Sequence, residues 1–330
     1  MPMPSARHLL IYDTDPGVDD AMALYYALAH PEIELVGVTT SFGNVSVVQA
    51  ATNALYLLAI AGRGHIPVTQ GVAAPLGKPG EEPPAHIHGA DGLGNLGPRE
   101  AHALRLDPRS SAQFIVDMAR EKPGDITLVA VGPLGNLALA LEIEPQLPKL
   151  LRAVVIMGGT VIEPGNVSPV AEANIWNDPH AADRVFCAGF ALTMVGLDVT
   201  HQVILPVTMF KQLAGHHRHI ATDTLHHAVA FYANFYSDLY PHVAAIHGCF
   251  GHDVLAFVAL TDPQLFQTES GALRVAVDGL AQGQTMLKRK SIPYPQSGWE
   301  VAPATVCMQV QADACRQKIE TVLMRDWLSL

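Results

Sequence analysis

Four carboxylates, Asp13, Asp15, Asp19 and Asp20, fall within the eight residues DTDPGVDD. Aspartates this close raise one another's pKa unless a cation or hydrogen-bond donors neutralise them. The residues before them, 8–12 (HLLIY), form an apolar run that reads as a short buried strand. Those after them, 21–28 (AMALYYAL), are apolar on all sides, as a helix packed on a sheet is. Side chains alternate along a strand, so Asp13 and Asp15 are expected to point the same way. Pro16 suits the first helical position and Asp15 its N-cap, which puts Asp19 and Asp20 in the first turns. A helix N-terminus offers a carboxylate only ~0.3–1 kcal/mol, too little for this cluster. A hard divalent cation with oxygen ligands, Ca²⁺ or Mg²⁺, is the better neutraliser. Perturbed carboxylates gather at working sites, so the cluster reads as a metal-dependent centre rather than an acidic cap.

Further polar sets recur down the chain. SFGN (41–44) ends an apolar run in Asn44, and LVAVG (128–132) ends one in free carbonyls. GNVSPVAEANIWND (165–178) carries Asn166, Glu172, Asn174, Asn177 and Asp178. His252-Asp253 opens an apolar helical run; alone, the pair reads as a helix cap.

These residues need a scaffold, and the apolar pattern supplies one. Strand-like runs at 33–40, 66–70, 126–131, 153–157 and 191–199 alternate with helical runs at 45–61, 110–121 and 137–144. Ser110 suits an N-cap, and Asp178-Pro179 opens a further helix by the same logic. Repeated strand-then-helix units predict an α/β chain with a mostly parallel central sheet, a Rossmann-like open fold with helices on both faces. In such sheets ligands bind beyond the carboxyl ends of the strands. Asp13, Asp15, Asn44, Gly132 and Gly158 collect there. Late strands are expected at 274–278, 285–290 and 302–310, with a closing helix at 313–327.

Two segments depart from that rhythm. Residues 75–98 (PLGKPGEEPPAHIHGADGLGNLGP) form a long Gly/Pro-rich loop with His86, His88 and Asp91, which reads as a mobile lid. Residues 206–260 turn helical, with a His-rich patch (His216, His217, His219, His226, His227) that reads as solvated surface. Aromatics at Phe231, Tyr232, Phe235, Tyr236 and Tyr240 keep helical spacing, one face for the core and the other free to line a cleft.

The whole chain of 330 residues, 49 % apolar and 15 % charged, suits one large domain spanning 1–330. A formal net charge of −11 argues against nucleic acid or an anionic membrane as partner. Four scattered cysteines without a C-x-x-C spacing suggest neither a disulfide framework nor a zinc site. Neither a signal peptide nor a membrane span is legible, so a cytoplasmic protein is expected. Cys249 reads as a packed thiol, and Trp299 carries no assignment.

The nine residues DTDPGVDDA (13–21) resemble the N-terminal signature of the inosine-uridine-preferring nucleoside hydrolases. The other polar segments follow in that family's order and approximate spacing over nearly the whole chain. The resemblance implies hydrolysis of the N-glycosidic bond of purine or pyrimidine ribonucleosides to free base and ribose. It implies that Asp15, Asp20, Asp253 and the backbone carbonyl of Val131 hold Ca²⁺. Relatives often carry Thr at that last place, which a backbone ligand tolerates. Asp15 would be the general base acting on a Ca²⁺-bound water. Asp19, Asn44, Asn166, Glu172 and Asn174 would grip the ribose above Met157. His88, in an HIHG loop like the family's, would also meet substrate, and His252 would protonate the leaving base. The family commonly forms dimers or tetramers, so a homodimer or homotetramer is expected.

The chemistry suits these residue types. Cleavage builds positive charge on the sugar, which acidic and amide oxygens favour. Water on calcium is less acidic than water on zinc and needs a carboxylate to take its proton. A histidine near neutrality is the natural donor to the departing base. Grips on the hydroxyls would reject deoxy-sugars. Two rivals stand beside this reading. A haloacid-dehalogenase-type phosphatase also has D-x-D after a first strand, but not Gly17 two residues later. A nucleoside-binding protein without turnover would keep the pocket but would not need both Asp15 and His252.

Overall fold

The computed structural model describes residues 8–97, 105–289, 292, 294 and 298–328. Pro98, the end of the expected lid, and Lys290, the end of an expected strand, lie outside the described residues. The strands are β1 (His8–Thr14), β2 (Ile33–Thr40), β3 (Val68–Gln70), β4 (Ile126–Ala130), β5 (Ala153–Met157), β6 (Leu192–Val195), β7 (Ile204–Pro206), β8 (Gly248–Phe250), β9 (Phe266–Val275), β10 (Thr285–Lys288) and β11 (Pro303–Val310). Nine of them make one sheet in the order β10-β9-β11-β6-β5-β4-β1-β2-β3. Neighbours from β3 across to β11 run parallel, while β9 pairs antiparallel with both β11 and β10. This is the expected α/β architecture with a mostly parallel central sheet.

Strand alternation builds the two sides of the core. Leu10, Tyr12, Val129, Val131, Val155 and Met157 join one apolar cluster, with the helices Val18–Ala29, Ile220–Leu239 and Val254–Thr261. Ile11, Leu128, Ala130, Val154 and Ile156 face the other, with Ser111–Glu121 and Gly135–Ile143. Strands buried on both faces read as unbroken apolar runs, which is why the central ones were legible. Both expected serine and aspartate caps form. Ser110 accepts from the Gln113 N–H at 3.2 Å, and Asp178, ahead of Pro179, accepts from the Ala181 N–H at 3.1 Å. Among the described residues no helix is long and apolar enough to cross a membrane.

Several elements differ from expectation, each for a local reason. The first long helix begins at Val18 with Gly17 as N-cap, so Asp15 does not cap it and Pro16 is not its first residue. Asp20, inside the helix, reaches back instead and accepts the N–H of Gly17 at 2.8 Å and of Asp15 at 3.3 Å. The strand expected over 191–199 stops at Val195; beyond Gly196 a helical turn, Leu197–Thr200, carries the chain on. There the buried Asp198 carboxylate accepts three N–H groups, from Val161, Ile162 and Glu163. The strand expected over 274–278 is the end of the ten-residue β9. The segment 206–260 is broken by β8, which pairs with β7. The His-rich patch is only partly solvated: His217 Nε2 lies 2.9 Å from the Leu323 carbonyl, and His227 Nε2 lies 3.1 Å from the Gly94 carbonyl.

Candidate active site

The acidic cluster closes where β1, β2, β4 and β5 end. Asp19, Asp20 and Asp253 offer carboxylate oxygens that all lie within 4.8 Å of one another. Asp19 and Asp20 come from the first turn of Val18–Ala29, and Asp253 from the residue before Val254–Thr261, more than 230 positions on. Asp15 sits beside them, fully buried. Its Oδ2 accepts the Asn44 N–H at 2.6 Å. A Cβ added at Gly43 or Gly132 would collide with its two carboxylate oxygens, so these glycines form its cradle. Gly132→Ala is therefore expected to push Asp15 aside and cost about 10²-fold in kcat/KM, since a displacement near 1 Å carries such a penalty. Ribose release by that variant checks this.

Asp20 is the most tightly held carboxylate. Besides the two backbone N–H groups it accepts the Thr14 hydroxyl, and the Asn44 amide at 3.0 Å. Asp13, two residues before Asp15, leaves the cluster altogether. It accepts from the Thr39 hydroxyl at 2.6 Å and the Asn136 amide at 2.8 Å, tying the ends of β1 and β2 to the start of the helix Gly135–Ile143.

Burial pushes these carboxylates up from the usual range, and for Asp15, Asp19 and Asp253 the neighbouring charges add to it. Burial lifts Asp15 well above its ordinary value, with the charges of Asp20 and Asp19 as further causes. Asp253 is likewise lifted by burial, then by Asp19, Asp20 and Asp15. Asp19 rises to about 8 and Asp13 to about 6, burial leading in each. Asp15 Oδ1, Asp19 Oδ1 and Asp253 Oδ2 are buried with no hydrogen-bond partner. Buried carboxylate oxygens left without a partner are costly, and hard oxygen donors in this number fit a divalent cation.

Above the cluster lies a cavity of about 300 Å³, lined by Asp19, Asp253, Asn44 and Val131. Met157, Asn166, Glu172 and Asn174 line it too, as do His88 and His252. Thus every expected site residue except the buried Asp15 and Asp20 borders one space. Glu172 caps the short helix Ala173–Asn177; its carboxylate accepts N–H groups from Gly159, Asn174 and Ile175 at 2.9, 2.9 and 3.1 Å. The Asn174 amide donates to the Val131 carbonyl at 2.6 Å and lies 3.5 Å from the Met157 sulfur. Asn166 accepts the Ala173 N–H at 3.0 Å.

The loop expected to be a lid divides in two. Residues 77–86 are mostly exposed, and Glu81, Glu82 and Pro84 border the cavity. Residues 87–94 pack down. His88 Nδ1 accepts the Val18 N–H at 3.2 Å, its ring stands 5.0 Å from Tyr232, and burial drops its pKa to about 3. Asp91 accepts three N–H groups from Leu93, Asn95 and Leu96.

At the opposite end, His252 is 4 % exposed. Its Nδ1 lies 2.8 Å from the Thr200 hydroxyl and its Nε2 3.0 Å from the Tyr236 hydroxyl. Tyr236 is 3.0 Å from the Tyr232 hydroxyl, which donates to Asp19 at 3.1 Å. Each hydroxyl has one proton, so the chain has one direction. Tyr232 gives its proton to Asp19, Tyr236 gives to Tyr232, and Nε2–H of His252 gives to Tyr236. Burial holds the His252 pKa well below its usual value, so the ring is neutral.

The sequence had offered Tyr232 and Tyr236 only as core or cleft-lining aromatics, although their four-residue spacing puts both hydroxyls on one helix face. Thr200 and His201, which also borders the cavity, went unnoticed because they come directly after a strand expected to run on to Val199. Cys249 is buried and its thiol is pushed up by that burial, as a packed thiol should be.

The family model of the inosine-uridine preferring nucleoside hydrolases matches residues 10–317. A probable uridine nucleosidase 1 of Oryza sativa subsp. japonica is 36 % identical over 326 residues, covering 96 % of this chain and 97 % of that protein. A plant nucleoside hydrolase structure, the PpNRh1 enzyme, superposes with a TM-score of 0.89 at 36 % identity, over 96 % of this chain and 99 % of that one. A purine-preferring ribonucleoside hydrolase from Gardnerella vaginalis does so with 0.87 at 33 % identity, over 96 % and 98 %. The chain belongs to the inosine-uridine preferring nucleoside hydrolase family.

Proposed function

We propose that this ribonucleoside hydrolase works with one Ca²⁺ ion in the acidic cluster, Asp15 as general base and His252 as proton donor to the leaving base. Family membership makes the chain an enzyme that splits the N-glycosidic bond of ribonucleosides. The observation that carries the finer reading is one cavity bordered at once by the buried carboxylates and by His252. Asp15, Asp20, Asp253 and the Val131 carbonyl, with Asp19 adjoining, would hold the ion, whose charge anchors sugar hydroxyls and makes water more acidic.

The protein groups then divide the work. Asp15, with Oδ2 fixed by Asn44 and Oδ1 unclaimed, is placed to take a proton from water. Asp19, Asn44, Asn166, Glu172 and Asn174 grip the ribose, with Met157 beneath and His88 closing the side. Three backbone N–H groups orient Glu172, so its charge faces a sugar that turns positive as the bond breaks. Being neutral, His252 would act by relay, taking up a proton at one ring nitrogen as it releases one from the other to the departing base, with Tyr236 and Thr200 holding the two nitrogens. The exposed part of the 75–98 loop, residues 77–86, acts as a lid on a single working domain, opening to admit the nucleoside. The assembly is a homodimer or homotetramer. Four free cysteines, three of them buried, favour a reducing, cytosolic setting.

His252→Ala is expected to slow inosine and uridine about 10²–10⁴-fold, the usual worth of an acid catalyst. p-Nitrophenyl riboside, whose leaving group needs no proton, should lose far less. Equal losses on both would reject the role. The reading as a whole is tested by a nucleoside panel assayed for reducing sugar, with and without metal depletion. Tight nucleoside binding with no ribose released would favour a binding protein instead.

A further inference from the structure

Residues 77–82 make no backbone–backbone hydrogen bond among the described residues. Both flanks of this stretch are pinned. Before it, the Leu76 N–H donates at 3.0 Å to the buried Asp178 carboxylate; after it, the His88 ring accepts the Val18 N–H at 3.2 Å. Gly77, at φ +75°, follows the first anchor and adopts a conformation that strains other residues, so the chain can swing there. Side chains fasten the stretch instead, and they meet at Trp176. The Trp176 Nε1–H donates to a Glu81 carboxylate oxygen at 3.1 Å. The same oxygen lies 3.2 Å from the Lys78 ammonium, which stands over the Trp176 ring, 5.1 Å from its centroid. Lys78 and Glu81 both belong to the loop, so their ion pair cannot tie it to anything else. The two contacts that cross to the body of the protein are those made by Trp176.

Trp176 is a stiff post. It belongs to Ala173–Asn177, whose first N–H groups Glu172 accepts and whose Asn174 amide donates to the Val131 carbonyl at 2.6 Å. Trp176 and Glu81 also border the cavity, on the side of Glu172 and Asn174.

We propose that Trp176 is the catch of the lid. From the helix that carries Asn174 it holds Glu81 by a hydrogen bond and Lys78 by its ring face, and release of the two lets the loop swing at Gly77. The proposal rests on the ribonucleoside hydrolase reading and deepens it by naming what governs entry and exit. Trp176 is a positioning residue, acting through the loop that it holds over the bound nucleoside.

Trp176→Phe keeps a ring beneath Lys78 and removes the Nε1–H. Lid opening is read by limited proteolysis with a protease of broad specificity, cuts within 77–86 being located by mass spectrometry, since a detached segment is cut in proportion to its open population. The variant should be cut there about fivefold faster than wild type, the worth of one hydrogen bond. Its melting temperature should be unchanged. Its KM for uridine should rise, because less of the protein is closed, while kcat should not fall. Glu81→Leu breaks the same bond from the other side, so the double variant should raise KM no further than the larger single change. An unchanged cutting rate in Trp176→Phe, a fall in kcat at constant KM, or single effects that multiply in the double variant would overturn the proposal. Release of no ribose from any nucleoside by wild type would overturn the parent reading, and the cutting rates would then still decide whether Trp176 holds the loop.

Discussion

Asp15→Asn should bring ribose release down by at least about 10³-fold, because a general base contributes 10²–10⁴ and no neighbour can replace it. Asp20 is spent on Thr14, Asn44 and two backbone N–H groups. Asp19 is engaged by Tyr232. The amide is nearly the size of the carboxylate, so it fits the cradle of Gly43 and Gly132. Its Oδ can still accept the Asn44 N–H. The fold should therefore survive, with a melting temperature within a few degrees of wild type or above it. One charge fewer in a crowded buried cluster relieves repulsion. Activity within tenfold of wild type would remove Asp15 as the base.

Stripping divalent cations should have an equally large effect, for a different reason. Asp19, Asp20 and Asp253 are buried within 4.8 Å of one another; burial raises all of them, and repulsion from the neighbouring carboxylates adds to it for Asp19 and Asp253. Without a cation they must share protons or stay apart, and neither state grips a sugar hydroxyl. A chelator should reduce ribose release at least about 10²-fold, and Ca²⁺ should restore it, since the ion supplies several kcal/mol of charge stabilisation. The melting temperature should fall on stripping and recover on re-addition, because a ligand that binds only the folded chain stabilises it by mass action. Full activity in chelator would contradict the reading.

The sheet was legible in the sequence where strands lie buried on both faces, as β1, β4 and β5 do. Their apolar runs are unbroken and each ends in a chemically distinct residue. Boundaries failed where side chains rather than propensity set them. Asp20 capping from inside the helix displaced Asp15 from that task, and Asp198 drew the chain after Gly196 into a turn. All of the acidic cluster except Asp253 was visible because Asp15, Asp19 and Asp20 are neighbours in sequence. Asp13 nevertheless belongs to the strand-end network of Thr39 and Asn136, a distinction that spacing alone does not carry. Asp253 entered only through resemblance, since a lone His-Asp pair before an apolar helix has no local signal of metal binding. The Thr200–His252–Tyr236–Tyr232–Asp19 chain joins four separate segments and exists only once the fold has brought them together.

The most direct test is calorimetric titration of metal-stripped protein with Ca²⁺, wild type beside Asp253→Asn. One ion should bind per wild-type chain, with binding lost or weakened at least about 10²-fold in the variant, which removes a charged ligand. No binding by folded wild type, or equal binding by both proteins, would contradict the claim that these distant carboxylates meet around a single cation.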